Sequence, residues 1–408
     1  MNRYKLMDLC CGTENQPQAR RRQFLKLSAM FTAAGALPLL QASRLARAAE
    51  PEAPVRIGYL PITDATPLLV AHHNQYFQQQ GLTVEPPRRF RSWSQIVEAF
   101  LAGQVNVVHL LMPMTIWSRY GSQAPAKVVA WNHTEGSCLT VLPTVQSLKD
   151  LGGTTVAIPF WYSVHNIVLQ AILREAGLEF ISEGEPSKNQ VKLVVMSPGD
   201  MLPALGSKRI SGYIVAEPFN AKAEELGVGK VWRFTGDVWR NHACCVVTMH
   251  EADLQQRPEW SQKVVNGIVQ AQAWVRNHRD ETVQILARGN PAAYTPHEPS
   301  TLARVLLPSA ERDAAYLASG AIRHADWHEQ RIDFRPYPYP SYTEKLVSLL
   351  KDTFVLGENA FLKQLDPAHV AKDLVDERFV RHAIEAQGGL SAFGIEGGYT
   401  RSETFEVS

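Results

Sequence analysis

The sequence predicts an α/β protein built as two lobes followed by a helical wrap, and three observations carry that expectation. From Val55 onward, short apolar runs alternate with helical patterns at roughly 20- to 25-residue spacing, the signature of βαβ units and a mostly parallel sheet. After Met249 the pattern changes to long helices with no convincing strand among them. Finally, 45% hydrophobic and 20% charged residues, with 9 Trp and 15 Phe, describe an ordinary globular chain and exclude long disorder, collagen and coiled coil. The 408 residues suffice for two or three domains.

The first element is a leader, residues 1–48. Arg20-Arg21-Arg22-Gln23-Phe24-Leu25-Lys26 precedes a mildly apolar run at 27–40 and then Ala46-Arg47-Ala48, which is n-region, h-region and small-residue cleavage site in order. The paired arginines before Phe-Leu-Lys resemble a twin-arginine export signal. An exported, periplasmic chain that is soluble after signal cleavage is therefore expected, since no apolar run of 18 or more follows. The leader also distorts the charge. Removing its eight basic and two acidic residues from totals of 41 and 40 leaves 33 against 38, net −5. Nucleic acid is a poor partner for such a remainder, because phosphate neutralisation needs clustered positive charge.

Strands are expected at 55–60, 82–85, 105–111, 127–131, 155–159, 191–196 and 212–216, with helices at 67–80, 92–102 and 164–176 between them. Ser92 is placed to cap a helix, and Gly81, Gly103 and Gly177 stand where helices stop. Helices at 258–287, 299–317 and 342–350 form the wrap. Residues 334–340, Phe-Arg-Pro-Tyr-Pro-Tyr-Pro, must be extended, because each proline fixes φ and disfavours α before it. Strand-like segments at 137–142 and 244–249 would carry the chain out of the first lobe and back. The division expected is 54–142 with 244–385 as lobe 1 and its helical extension, 143–243 as lobe 2, and 386–408 as a tail.

In α/β sheets ligands gather outside the carboxyl ends of strands, so the residues just after each strand are candidates. Thr63 and Asp64 follow the first, where Asp64 would either meet a ligand or cap a helix. Trp93 lies in a first helical turn, and His109 reads as a core histidine. Tyr162 and His165 gather aromatic surface and an imidazole at a helix start, Glu217 adds a strand-end carboxylate, and Trp239 adds an indole next to Arg240. Catalytic signatures are scarce: phosphate loop, Gly-x-Gly-x-x-Gly, Gly-x-Ser-x-Gly and His-Glu-x-x-His are all missing. His324 and His328 have no third ligand nearby, and Cys244 and Cys245 read as buried structural thiols. A binding protein without metal or cofactor is the expectation, not an enzyme.

These residues resemble the solute-binding proteins of the nitrate, bicarbonate, sulfonate and taurine class of ABC importers, nearest to the nitrate and bicarbonate type. The matching pieces are residues 57–68 (Ile-Gly-Tyr-Leu-Pro-Ile-Thr-Asp-Ala-Thr-Pro-Leu), Ser92-Trp93, residues 109–114, Ala216-Glu217-Pro218-Phe219-Asn220, Trp239-Arg240-Asn241-His242 and residues 334–340, in family order across most of 54–385. The resemblance implies a two-lobed type II periplasmic binding fold that closes on a small polar or anionic solute by hinge motion. It implies Thr63 and Asp64 at the cleft floor, with Trp93 lining the cleft from the first lobe and His165 and Glu217 from the second. A monomer that delivers solute to an importer permease follows from the same likeness. One departure stands out: where nitrate-type members carry a basic residue after the Trp239–His242 segment, this chain has Ala243-Cys244-Cys245, leaving Arg240 as the substitute. Two alternatives remain: an enzyme resembling the pyrimidine synthases of thiamine biosynthesis, and a periplasmic sensor domain. If the segments at 137–142 and 244–249 run adjacent and antiparallel, alternation puts Cys244 and Cys245 on opposite faces, and one of them could bridge to Cys138.

Overall fold

The computed structural model describes residues 53–327 and 331–408. The leader, with Arg21 and Arg22, lies outside the described residues, as does His328. Among the described residues no helix is long and apolar enough to cross a membrane.

The strands, in chain order, are β1 Ile57–Tyr59, β2 Arg88–Arg89, β3 Val107–Leu111, β4 Ala126–Trp131, β5 Thr134–Glu135, β6 Ser137–Val141, β7 Thr155–Ile158, β8 Glu179–Ile181, β9 Gln190–Val195, β10 Gly212–Ala216, β11 Lys230–Phe234, β12 Cys245–His250 and β13 Ile332–Asp333. They form one five-stranded sheet, β2-β1-β3-β12-β4, and one six-stranded sheet, β11-β6-β10-β7-β9-β8, with β5 and β13 paired apart. In the first sheet β1 is parallel to β2 and β3, while β12 runs antiparallel to β3 and β4. In the second, β7, β8, β9 and β10 are parallel and β6 is antiparallel to β10 and β11. The buried strands are rich in Val, Ile and Leu on both faces, as sheets covered by helices require.

The chain crosses between sheets twice, at 132–136 and again at 239–244, and the crossings touch: the Glu135 N–H donates to His242 O at 2.8 Å. The strands flanking them part company, which corrects the expected pairing. Segment 137–141 belongs to the second sheet, where Cys138 opposes Val215, and segment 245–250 belongs to the first, where Cys245 opposes Leu111. Cys138, Cys244 and Cys245 are each free and buried, so the expected bridge from Cys138 to Cys244 or Cys245 is not made.

Other differences have local causes. Segment 82–85 contributes only a bridge of Val84 to Val55, and the ladder forms instead at Arg88–Arg89. The expected helix at 258–287 is Pro258–Asn277 and Arg279–Leu286, broken where His278 takes φ −134°. That at 299–317 is Pro299–Leu306 and Ala310–Ser319, separated at Pro308, with Ser309 capping the second. Ser92 does cap Trp93–Leu101, its Oγ accepting from Gln95 N, and Gly81, Gly103 and Gly177 all adopt positive φ at helix ends.

Two features hold the return crossing in place. Tyr342, in the helix Pro340–Lys351, packs its ring 4.9 Å from both Trp131 and Trp239, and all three are fully buried. The segment 401–406 then lies along residues 238–241 as a strap. Trp239 bridges Phe405, Arg240 N donates to Thr404 O at 3.1 Å, and Glu406 N donates to Val238 O at 2.8 Å. Arg401, Glu403 and Phe405 alternate with more exposed neighbours, as a half-covered strand does.

Candidate functional site

The site is built from residues at the carboxyl ends of strands in both sheets. After β1, Pro61 and Ile62 lead into a 3₁₀ turn, Thr63–Ala65, and Pro67 opens the helix Thr66–His73 at a position that tolerates a missing N–H. Thr66 Oγ1 donates back to Thr63 O at 2.6 Å, which fixes the turn. Asp64 makes no helix-capping bond; its side chain turns inward instead. Its Oδ2 lies 2.9 Å from His133 Nε2 and 3.2 Å from Cys245 Sγ, and its main-chain O accepts from Asn132 Nδ2.

The second sheet reaches the same place. Thr63 N and Oγ1 both donate to Glu217 O at 3.0 Å. Ser163 caps the helix Val164–Glu175, accepting from Asn166 N at 3.0 Å, and the first turn so formed presents His165. His165 Nε2 is 2.9 Å from Ser137 Oγ and 3.8 Å from Cys244 Sγ. Thr63, Asp64, His165 and Glu217 are thus brought together, each no more than 1% exposed. Thr63, from the first sheet, and Glu217, from the second, are in direct hydrogen-bonded contact here.

The other candidates sit at greater remove. Trp93 packs its ring 5.4 Å from His109, whose Nε2 accepts from Leu60 N at 2.9 Å; burial pushes that imidazole down to about 3, as befits a neutral core acceptor. Tyr162 donates to Glu358 O at 2.9 Å and packs against Trp117 and Phe361. Trp239 donates from Nε1 to Glu403 Oε2 at 3.0 Å and stacks among Tyr342, His242 and Phe405. Arg240 is paired with the exposed Asp326 at 2.7 Å, which uses its charge elsewhere.

Electrostatics are dominated by burial. It pushes Glu217 up to about 7, against a backbone bond from Ala221. Glu217 Oε2 accepts from Ala221 N at 3.0 Å and Oε1 lies 3.5 Å from Cys138 Sγ, so this carboxyl also caps the helix Phe219–Glu225. Burial likewise raises Asp64, partly offset by the His133 charge. At Cys244 burial opposes ionisation, but the Cys245 thiol and His165 prevail and hold it well below the ordinary thiol range; at Cys245 burial wins and raises it.

His133, Cys244 and Cys245 were not among the residues expected here, and with Asp64 they form a buried group whose ligand atoms lie within 4.8 Å of one another. His133 follows β4, so the strand-end rule would have found it. Both thiols are buried, as expected, and Cys244 precedes β12 in a bend, which frees it from strand alternation and lets both sulfurs reach the same group. An open groove of about 770 Å³, lined by Thr83, Gln256, Glu259 and Lys263 among others, shares no residue with this site.

Two covered sheets, joined by two adjacent crossings and meeting at strand ends, define the class: this is a periplasmic binding protein fold. The periplasmic nitrate-binding protein of Synechocystis superposes with a TM-score of 0.68 at 18% identity, over 86% of this chain and 93% of that one. The aliphatic sulphonate-binding protein of Escherichia coli does so with a TM-score of 0.52 at 17% identity, over 81% and 92%. The model of the NMT1-like family matches residues 48–288, and the chain belongs to that family. In sequence it is 23% identical over 240 residues to a nitrate/nitrite binding protein of Nostoc sp., covering 54% of this chain and 53% of that protein. It is 25% identical over 244 residues to a nitrate import ATP-binding protein of Synechocystis, covering 57% and 36%. The chain thus spans about half of the first relative and about a third of the second.

Proposed function

We propose that this chain is the extracytoplasmic solute-binding component of an ABC importer, capturing one small polar or anionic solute where Thr63 and Asp64 meet His165 and Glu217. The observation that carries the reading is that meeting itself: polar side chains from the strand ends of two sheets converge in a dry place that only a hinge motion can open. Membership of the NMT1-like family and the names of the similar proteins, a nitrate/nitrite binding protein among them, support it. Trp93, packed on His109, backs the site at one remove from the first sheet, with Tyr162 and Trp239 as outer supports. The leader sends the chain to the periplasm, and a membrane permease receives the solute.

A ligand that binds only the folded form adds RT ln(1 + [L]/Kd), about 2.7 kcal/mol at a hundredfold excess over Kd. A melting-temperature panel of nitrate, nitrite, bicarbonate, sulfonates, taurine, cyanate and pyrimidines therefore yields a clear upward shift with one class. His165→Ala abolishes that shift and leaves the ligand-free melting temperature nearly unchanged. If the panel is silent, or His165→Ala melts early without losing the shift, the reading fails.

A further inference from the structure

We propose that Asp64, His133, Cys244 and Cys245 form a tetrahedral site for a thiolate-preferring divalent metal ion of the zinc class. The argument begins with what converges. Asp64 Oδ2, His133 Nε2 and the two Sγ atoms lie within 4.8 Å of one another, and all four residues are fully buried. Tetrahedral zinc, with bonds of about 2.0–2.3 Å, places its ligand atoms roughly 3.3–3.8 Å apart. The 2.9 Å from carboxylate to imidazole and 3.2 Å from carboxylate to thiol need only small outward shifts to admit an ion.

The donor set selects the ion. Two sulfurs, an imidazole and one carboxylate oxygen suit zinc, whereas calcium and magnesium require six or more oxygens. A dication also answers a local problem. His133 Nε2 faces both the Cys245 N–H at 3.2 Å and the Asp64 carboxylate at 2.9 Å, and it cannot accept from one while donating to the other. Asp64 Oδ1 is buried with no hydrogen-bond partner. Metal coordination gives these lone pairs an acceptor of electron density that the protein alone does not provide.

The backbone around the ligands is held ready. Cys244 O accepts from Met112 N at 3.0 Å, and Cys245 O accepts from Asn132 N at 3.1 Å. Tyr342 Oη donates to Ala243 O, and Asn132 Nδ2 to Asp64 O. Such outer bonds orient ligands and raise affinity. The ligands follow β1 and β4 and lead into β12, all strands of the first sheet, and the site shares Asp64 with the proposed solute site. His165 and Ser137, from the second sheet, only cover it.

The test uses the chain purified under reductant, stripped with a chelator and titrated with Co²⁺. One equivalent gives the intense visible bands of tetrahedral cobalt together with a near-ultraviolet thiolate charge-transfer band, and Zn²⁺ displaces it at one equivalent. Cys244→Ser and Cys245→Ser each remove about half of the charge-transfer intensity and weaken Zn²⁺ binding by more than about 100-fold. Cys138→Ser, a buried thiol in the second sheet, leaves the spectrum intact. Circular dichroism reports folding; should a serine variant unfold, Asp64→Asn and His133→Gln carry the same comparison. A pale octahedral spectrum, no one-equivalent binding, or a spectrum unchanged in the Cys244→Ser/Cys245→Ser double variant overturns the proposal. A chain that answers a solute in the melting panel yet ignores cobalt overturns this inference alone.

Discussion

A carboxylic acid with no water around it keeps its proton, and Glu217 is 1% exposed. Burial raises it from 4.5 to about 7, so the folded state holds a proton that the unfolded chain releases near 4.5. The sign follows: this group's contribution to stability is fully present below pH 4.5 and is lost as pH rises through 7. The loss is on the order of 3 kcal/mol at most. Glu135, raised to about 7 chiefly by burial, acts in the same direction. Glu217→Gln keeps an acceptor for Ala221 N and has no proton to lose, so its melting temperature should decline less between pH 5 and 8 than that of the unaltered chain; parallel curves would show that Glu217 is not the source. At this scale the strand-end positions of Asp64, His165 and Glu217 were legible, because strand ends can be found from local pattern. The convergence of residues 64, 133, 244 and 245 was not, since nothing local relates positions so far apart. Tyr162 and Trp239 show the other difficulty: an aromatic side chain near a strand end packs a core as readily as it lines a pocket.

Elements fit together with little slack, and the turn before β7 shows how little. Gly152 ends the 3₁₀ turn Leu148–Leu151, and a Cβ there would sit 1.9 Å from Lys188 O, a backbone atom that cannot swing aside. Gly152→Ala should therefore destabilise by about 1–3 kcal/mol or more, at roughly 2–4 °C of melting temperature per kcal/mol. Gly199→Ala, in the helix Pro198–Gly206, meets nothing within 4 Å and should be neutral or mildly stabilising. Equal melting temperatures for the two variants would sink the argument. The elements readable in advance were those with an apolar run of their own, such as β3, β9 and β10. The short edge strands β2 (Arg88-Arg89), β8 (Glu179-Phe180-Ile181) and β11 (Lys230–Phe234) carry charges in place of such a run and were missed. Which sheet received 137–141 and 245–250 was set by long-range pairing, which periodicity does not encode.

Over the whole molecule, the strap at 401–406 decides how firmly the return crossing is held. It supplies backbone bonds to residues 238 and 240, a carboxylate for the Trp239 indole, and a ring, Phe405, 5.6 Å from that indole. Arg401 lies 5.0 Å over Trp131 and 4.4 Å over Tyr339, tying the strap to the first sheet as well. A chain ending at Gly398 should stay folded but melt several degrees lower, since each lost hydrogen bond is worth about 1 kcal/mol. An unchanged melting temperature would show that the strap merely rests there. The same feature imposes an order in time. A polypeptide grows from its amino end at about 5–20 residues per second, so residues 401–406 follow the segment they brace by roughly 8–30 s. For that interval every newborn chain has the Trp239 indole short of its carboxylate and the second crossing unclasped. A protease or chaperone that reads incomplete folding meets its substrate then, and the arrival of residues 401–406 is what withdraws it.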